Sequence, residues 1–219
     1  MEGLTKISRS SEHRPRQVPV LAQFGSLREV VERGTDGVRR KKGLEWEWQA
    51  MDGSITKAPL GGQGTGPNPT DRAKSGTKRS ILVEGNGIPL AVAVDGANTH
   101  DMKLTGPTLE SIVIDRPRPT KEHPQNICLD KGYDFPEVDE LVAEWGYTAH
   151  IARRGVDQSK RRKRIPGYRA RRWVVERTNS WMNRFRRLLV RWEKKKENYV
   201  AMLHLSCAWI TYHQAGIFG

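Results

Sequence analysis

RSILVEGNGIPLAVAVDG, residues 79–96, decides the fold class. Residues 79–85 and 88–96 are apolar runs rich in Ile, Leu and Val, and Asn86-Gly87 lies between them. An Asn-Gly pair supplies the positive φ values a tight turn demands, so the stretch reads as a β-hairpin. Upstream, LEWEWQAMD (44–52) alternates bulky and polar side chains, with Leu44, Trp46, Trp48 and Ala50 on one side. That is a strand pattern, ending at Asp52-Gly53. Downstream, NICLD (126–130) and YTAHIA (147–152) are short apolar runs of strand length. Helical spacing occupies 21–33, 101–114 with a break or start near Pro107, 135–146 with Gly146 as C-cap, 168–192 and 196–214. Segments 34–43, 57–78 and 160–167 read as loops, and residues 1–20 are expected to be disordered. Strands interleaved with helices imply an α/β fold, a mixed sheet with helices around it.

The chain has 219 residues, room for one domain with a real core and short appendages. No apolar run approaches the ~18 residues of a membrane span, and the N-terminus has no apolar core of a secretory signal. Cys128 and Cys207 lie far apart in apolar runs, which reads as buried thiols rather than a disulfide or zinc site. A cytoplasmic protein is expected. The formal net charge is +13, and the basic residues crowd into 153–194 as RR, KRRKR, RARR and FRR. Clustered positive charge points to a polyanion, nucleic acid before a membrane surface.

Three acids stand out. Asp52 and Asp130 each close an apolar strand, where sites collect in α/β sheets. Glu176 is the lone acid of RRWVVERTNSWMNRFRRLL (171–189). On a helix its face gathers Arg169, Arg172, Ser180 and Asn183, while the apolar stripe runs through Val174, Trp181, Phe185, Leu188 and Trp192. Converging carboxylates suit Mg²⁺, and paired metals about 4 Å apart serve phosphoryl transfer. The plainer alternatives are turn-forming aspartates and a surface ion pair between Glu176 and Arg172 or Arg177.

MDGSITKAPLGG, TDRAKSGTKRSILVEGNGIPLAVAVDGANTHDMKL, NICLDKGYD and the 171–189 stretch occur in an order that resembles the DDE-type bacterial insertion-sequence transposases, specifically the Insertion Sequence 5 family with its Insertion Sequence 4-like transposase domain. The likeness covers roughly residues 44–214. It implies a ribonuclease H-like mixed sheet flanked by helices, with a long basic C-terminal helix. It divides the chain into an N-terminal, partly disordered or helical remnant (1–43), the catalytic domain (44–214) and a tail (215–219). It makes Asp52, Asp130 and Glu176 the catalytic and metal-binding residues for two Mg²⁺ or Mn²⁺ ions that cut and join DNA strands. His100 and Asp101 would start a helix and shape the site.

Arg161, Arg162, Arg164, Arg172, Arg177, Arg184, Arg187 and Lys131 are expected on DNA, both element ends and target. Tyr133 is a further candidate for a backbone phosphate. Trp173 and Trp181 are either core or a platform for a flipped base. The family's helix signature has Tyr where Arg169 stands and Lys where Asn183 stands. About fifty residues precede Asp52 and do not look like the family's N-terminal DNA-binding region, so a truncated copy is expected. The acting form would be a homo-oligomer, nucleoid-associated, with no membrane and no small-molecule cofactor. Two competing readings are a catalytically inactive DNA-binding remnant that inhibits its full-length relative, and a nuclease of the same fold without strand joining.

Overall fold

The computed structural model describes residues 25–153, 155 and 171–216. The expectations for Arg161, Arg162, Arg164 and the 1–20 segment lie outside the described residues. A six-stranded mixed sheet organises the chain. Its strands are β1 (Trp48–Lys57), β2 (Gly66–Pro67), β3 (Ser75–Glu84), β4 (Pro89–Gly96), β5 (Gln125–Leu129) and β6 (Tyr147–Ile151). β1 pairs antiparallel with β3, and β3 pairs antiparallel with both β4 and the short β2. On its other side β1 pairs in parallel with β5, and β5 with β6. The helices are α1 (Gly25–Lys42), α2 (Asp101–Glu110), α3 (Pro136–Glu144), α4 (Trp173–Met182), α5 (Arg186–Leu189) and α6 (Lys196–Gln214).

Period-2 alternation sends neighbouring side chains to opposite faces of the sheet. Ala50, Ile81, Val83, Val94 and Cys128 pack with Val174, Val175 and Met182 of α4 and Leu203, Cys207 and Ile210 of α6. Met51, Leu82, Leu90, Ile127 and Leu129 pack against Leu109 of α2 and Val138 and Val142 of α3. Both cysteines are free and buried. Among the described residues no helix is long and apolar enough to cross a membrane.

The hairpin at Asn86-Gly87 is present, but only Gly87 takes a positive φ, +90°. The turn is organised by Glu84, fully buried, whose carboxylate accepts hydrogen bonds from the backbone N–H groups of Glu45, Asn86 and Ile88 at 2.8–3.0 Å. Those three donors satisfy a charge that burial alone would push toward protonation.

Four elements differ from the expectation. β1 does not end at Asp52; it continues to Lys57, pairing throughout with β3. The 57–78 loop accordingly shortens, and its last residues are the start of β3. The 34–43 segment is not a loop, because α1 runs on to Lys42 with Val31, Thr35 and Val38 buried. Gly34 permits this packing: a Cβ there would meet the Tyr212 ring of α6 at 2.9 Å. The basic 168–192 helix is broken, since α4 ends at Met182, residues 183–185 turn, and Val190 forms a parallel bridge with Lys57. A long-range hydrogen bond lies at the break. The fully buried Arg79 of β3 donates to the Asn183 side-chain oxygen at 2.6 Å, at the C-cap of α4. Pro107, finally, lies inside α2 without ending it.

Arg191 fastens the far end of β1. It is fully buried and donates to the carbonyls of Gln63, Gly64 (3.1 Å) and Glu193 (2.9 Å) and to the Thr77 hydroxyl (3.0 Å). Its guanidinium also lies over the Tyr199 ring of α6. One side chain therefore ties the 58–74 loop, β3 and the start of α6 together. Arg191→Met should leave these acceptors buried and unmet, lowering stability by roughly 2–4 kcal/mol in urea unfolding. Limited proteolysis should then cut first within 58–74.

Candidate active site on adjacent parallel strands

The parallel register of β1 and β5 aligns Trp48 with Asn126 and Ala50 with Cys128. Two residues beyond the last of these pairs come Asp52, within β1, and Asp130, just past the end of β5. They share the face of Ala50 and Cys128, the face covered by α4. Asp130 follows β5 directly. Its Oδ1 accepts from the Gly132 N–H at 2.6 Å and so caps a short 3₁₀ turn, Lys131–Tyr133. Asp52 accepts from the Gly53 N–H at 2.9 Å.

The closeness of the two acids has an electrostatic signature. Burial first, then the Asp130 carboxylate, pushes Asp52 up to about 6 from an ordinary 3.8. The Gly53 N–H and Arg172 oppose the rise, and Asp101 adds to it. Arg172 stands at the start of α4, so the beginning of that helix lies beside the acid pair.

Glu176 sits one helical turn on from Arg172. Its carboxylate, 54 % exposed, is bound by the Arg172 guanidinium at 3.1 Å. Arg172 thus faces two ways, toward Glu176 by a hydrogen bond and toward Asp52 by its charge. The fold brings Asp52 and Asp130 together and leaves Glu176 alongside, engaged with Arg172. Among the described residues no three His, Cys, Asp or Glu side chains are gathered as a metal cage. Asp52 and Asp130 alone do fit a divalent cation: two hard-oxygen ligands close enough to repel one another unless a cation or proton intervenes.

The other candidate residues divide by surroundings. Lys131 is exposed beside Asp130, whereas Tyr133 is fully buried and cannot lie on a surface phosphate. Arg184 is exposed and helps line a cavity of about 380 Å³ with Trp181, Phe185 and Trp209. Arg187 is mostly exposed and pairs with Glu193 at 2.9 Å. Arg177 is committed to the fold: it donates to the Asn86 carbonyl and stacks over both Trp173 and Trp181. Trp181 packs on the core, but Trp173 is 53 % exposed and Trp192 51 %, so neither is core.

Sequence reasoning missed Lys78, buried on β3 and 3.0 Å from Asp101, and the two-sided role of Arg172. The available signal was Gly53 and Gly132, one and two residues after the key acids. As turn formers they are unremarked; as absent side chains they mark a close approach.

The model of the family described as "Transposase DDE domain" matches residues 48–211. A curated relative from Burkholderia cepacia, "Putative transposase for insertion sequence element IS402", is 36% identical over 152 residues, 68% of this chain and 69% of that protein. Among solved structures, the Mos1 mariner paired-end complex with Mn is matched at a TM-score of 0.33 and 10% identity, over 100% of this chain and 68% of that one. The Mos1 catalytic domain is matched at 0.31 and 8%, over 86% and 94%. These structural likenesses are too loose to bear on function. With the family's model spanning the sheet, the acid pair and both helices that cover them, the chain belongs to the DDE-domain transposases.

Proposed function

We propose that this chain performs metal-dependent cleavage and strand transfer of an insertion sequence's DNA. The observation that carries the reading is the closeness of Asp52 and Asp130 at the end of the parallel β1–β5 pairing, near enough for one carboxylate to act on the other. Asp52 and Asp130 would hold Mg²⁺ or Mn²⁺, two ions in the full site, with Glu176 joining from α4. A bound divalent ion supplies charge neutralisation at the phosphoryl group and lowers the pKa of a water nucleophile. Glu176 can join only by leaving Arg172, and an approaching DNA phosphate is a natural replacement partner for that guanidinium. Arg172 would then hold the strand while Glu176 turns to the cation. Arg184, Arg187 and Lys131 would bind backbone phosphates, together with Arg161, Arg162 and Arg164; such bonds position DNA without reading its sequence. Arg177 would support this surface by steadying Trp173. The acting form would be a multimer on element ends and target.

The deciding experiment is nicking of supercoiled plasmid with Mn²⁺. Wild type should nick, and Glu176→Ala should bind DNA but not nick. Equal behaviour of the two would refute the enzyme reading and favour a DNA-binding protein without catalysis. Strand transfer is assayed separately from a precut end.

Replacing Arg184 and Arg187 by Ala should weaken duplex binding regardless of sequence. The slope of log affinity against log salt should fall by about 1 for each phosphate that is no longer neutralised.

Asp52 also gives a pH-dependent prediction. Its folded-state pKa, about 6, lies above the ordinary 3.8. Stability from a raised carboxylate is complete below the unfolded value and lost as pH rises through the folded one. In metal-free protein Asp52→Asn should therefore stabilise above pH 6, by about 1–2 kcal/mol after allowing for partial exposure. The gain should vanish toward pH 4, and thermal unfolding of both proteins across that range measures it.

A further inference from the structure

Asp101, the first residue of α2, occupies a slot made by two missing side chains. A Cβ on Gly53 would overlap its carboxylate, and a Cβ on Gly132 would meet its Oδ2 at 3.2 Å. Gly53 directly follows Asp52, and the Gly132 N–H donates to the Asp130 carboxylate. The Asp101 carboxylate thus lies against the backbone of both acid-bearing segments. Because successive strand residues alternate faces, Gly53 opens on the side opposite Asp52, so Asp101 approaches from behind the pair. Lys78, its side chain only 9% exposed, holds the Asp101 Oδ1 at 3.0 Å from that rear face.

A second, independent feature marks the same place. Tyr133 is fully buried with its hydroxyl beside Ser80. Its other neighbours are the carboxylates of Asp101, Asp52 and Asp130.

We propose that Asp101 is a positioning residue whose charge, behind Asp52 and Asp130, strengthens their hold on a divalent cation while Lys78 keeps Asp101 itself out of coordination. The inference rests on the reading of Asp52 and Asp130 as cation ligands. A third negative charge close behind two ligands raises the cost of keeping them ionised alone and increases the gain when a cation neutralises them. Lys78 anchors Asp101 so that the field is supplied from a fixed point. Gly53 is the structural condition, since a Cβ there would overlap the Asp101 carboxylate, whereas one on Gly132 would meet Asp130 Oδ1 at 2.9 Å before Asp101 Oδ2 at 3.2 Å.

Mn²⁺ uptake by the full chain without DNA tests this, followed as loss of the free-ion electron paramagnetic resonance signal. Asp101→Asn should weaken Mn²⁺ binding about tenfold with an unchanged far-ultraviolet circular dichroism spectrum. Gly53→Ala, which keeps every charge but displaces Asp101, should weaken it similarly, and Lys78→Met should not weaken it. Folded Asp101→Asn protein binding Mn²⁺ within twofold of wild type overturns the inference, even if its melting temperature falls, because the role is then only structural. If Asp101→Asn does not fold, wild-type affinity in Gly53→Ala overturns it instead. Absence of uptake by wild type overturns the acid-pair reading and this inference together, whereas equal uptake by wild type and variant overturns this inference alone.

Discussion

The parallel pairing of β1 with β5 is the constraint on which the rest depends. Two carboxylates separated by a long stretch of chain become neighbours because Ala50 aligns with Cys128. A one-residue slip would turn one acid to the other face of the sheet and dissolve the pair. The register is held by burial on both faces: Ala50 and Cys128 in one core, Met51, Ile127 and Leu129 in the other. Hydrophobic packing thereby enforces an arrangement that electrostatics opposes, and the elevated proton affinity of Asp52 reflects its burial first and the neighbouring Asp130 second.

Opposite charges approach the pair from opposite sides. Arg172 comes from α4 on the covered face, and Asp101 comes from α2 behind the strands. Each is held by a partner of its own, Glu176 and Lys78. Exposure separates the two partnerships. Lys78 is nearly enclosed, so its bond to Asp101 is a fixed part of the fold, whereas Arg172 and Glu176 are in solvent, where an ion pair contributes under ~1 kcal/mol and exchanges readily. The fixed charge sits behind the acids and the exchangeable one on the α4 side.

The sequence made legible whatever is decided locally. The hairpin at Asn86-Gly87, the strand before Asp130, α3 with its terminal Gly146 and the full extent of α6 follow from turn chemistry and apolar spacing. What distant parts of the chain decide was not legible. Asp52-Gly53 has the composition of a strand end, yet β3 pairs on past it. The basic helix ends at a residue bonded to a buried arginine more than a hundred residues upstream, and α1 runs on where it packs against α6. At the site, Asp52 and Asp130 were recognisable as strand-associated acids. The Arg172–Glu176 ion pair was also legible, as an i,i+4 spacing on one helix face; that the flanking glycines would admit Asp101 is a fact of packing that no local pattern carries.

The tip of the β3–β4 hairpin fixes the azimuth of α4. Thr178 donates to the Gly87 carbonyl at 2.7 Å, Arg177 reaches the Asn86 carbonyl, and a Cβ on Gly87 would crowd both side chains. Pinned there and packed on the core through Val174 and Val175, the helix cannot roll about its own axis without tearing the turn. Any approach of Glu176 to the acid pair must then be a swing about its side-chain torsions rather than a rigid-body shift, a motion of nanoseconds once Arg172 lets go.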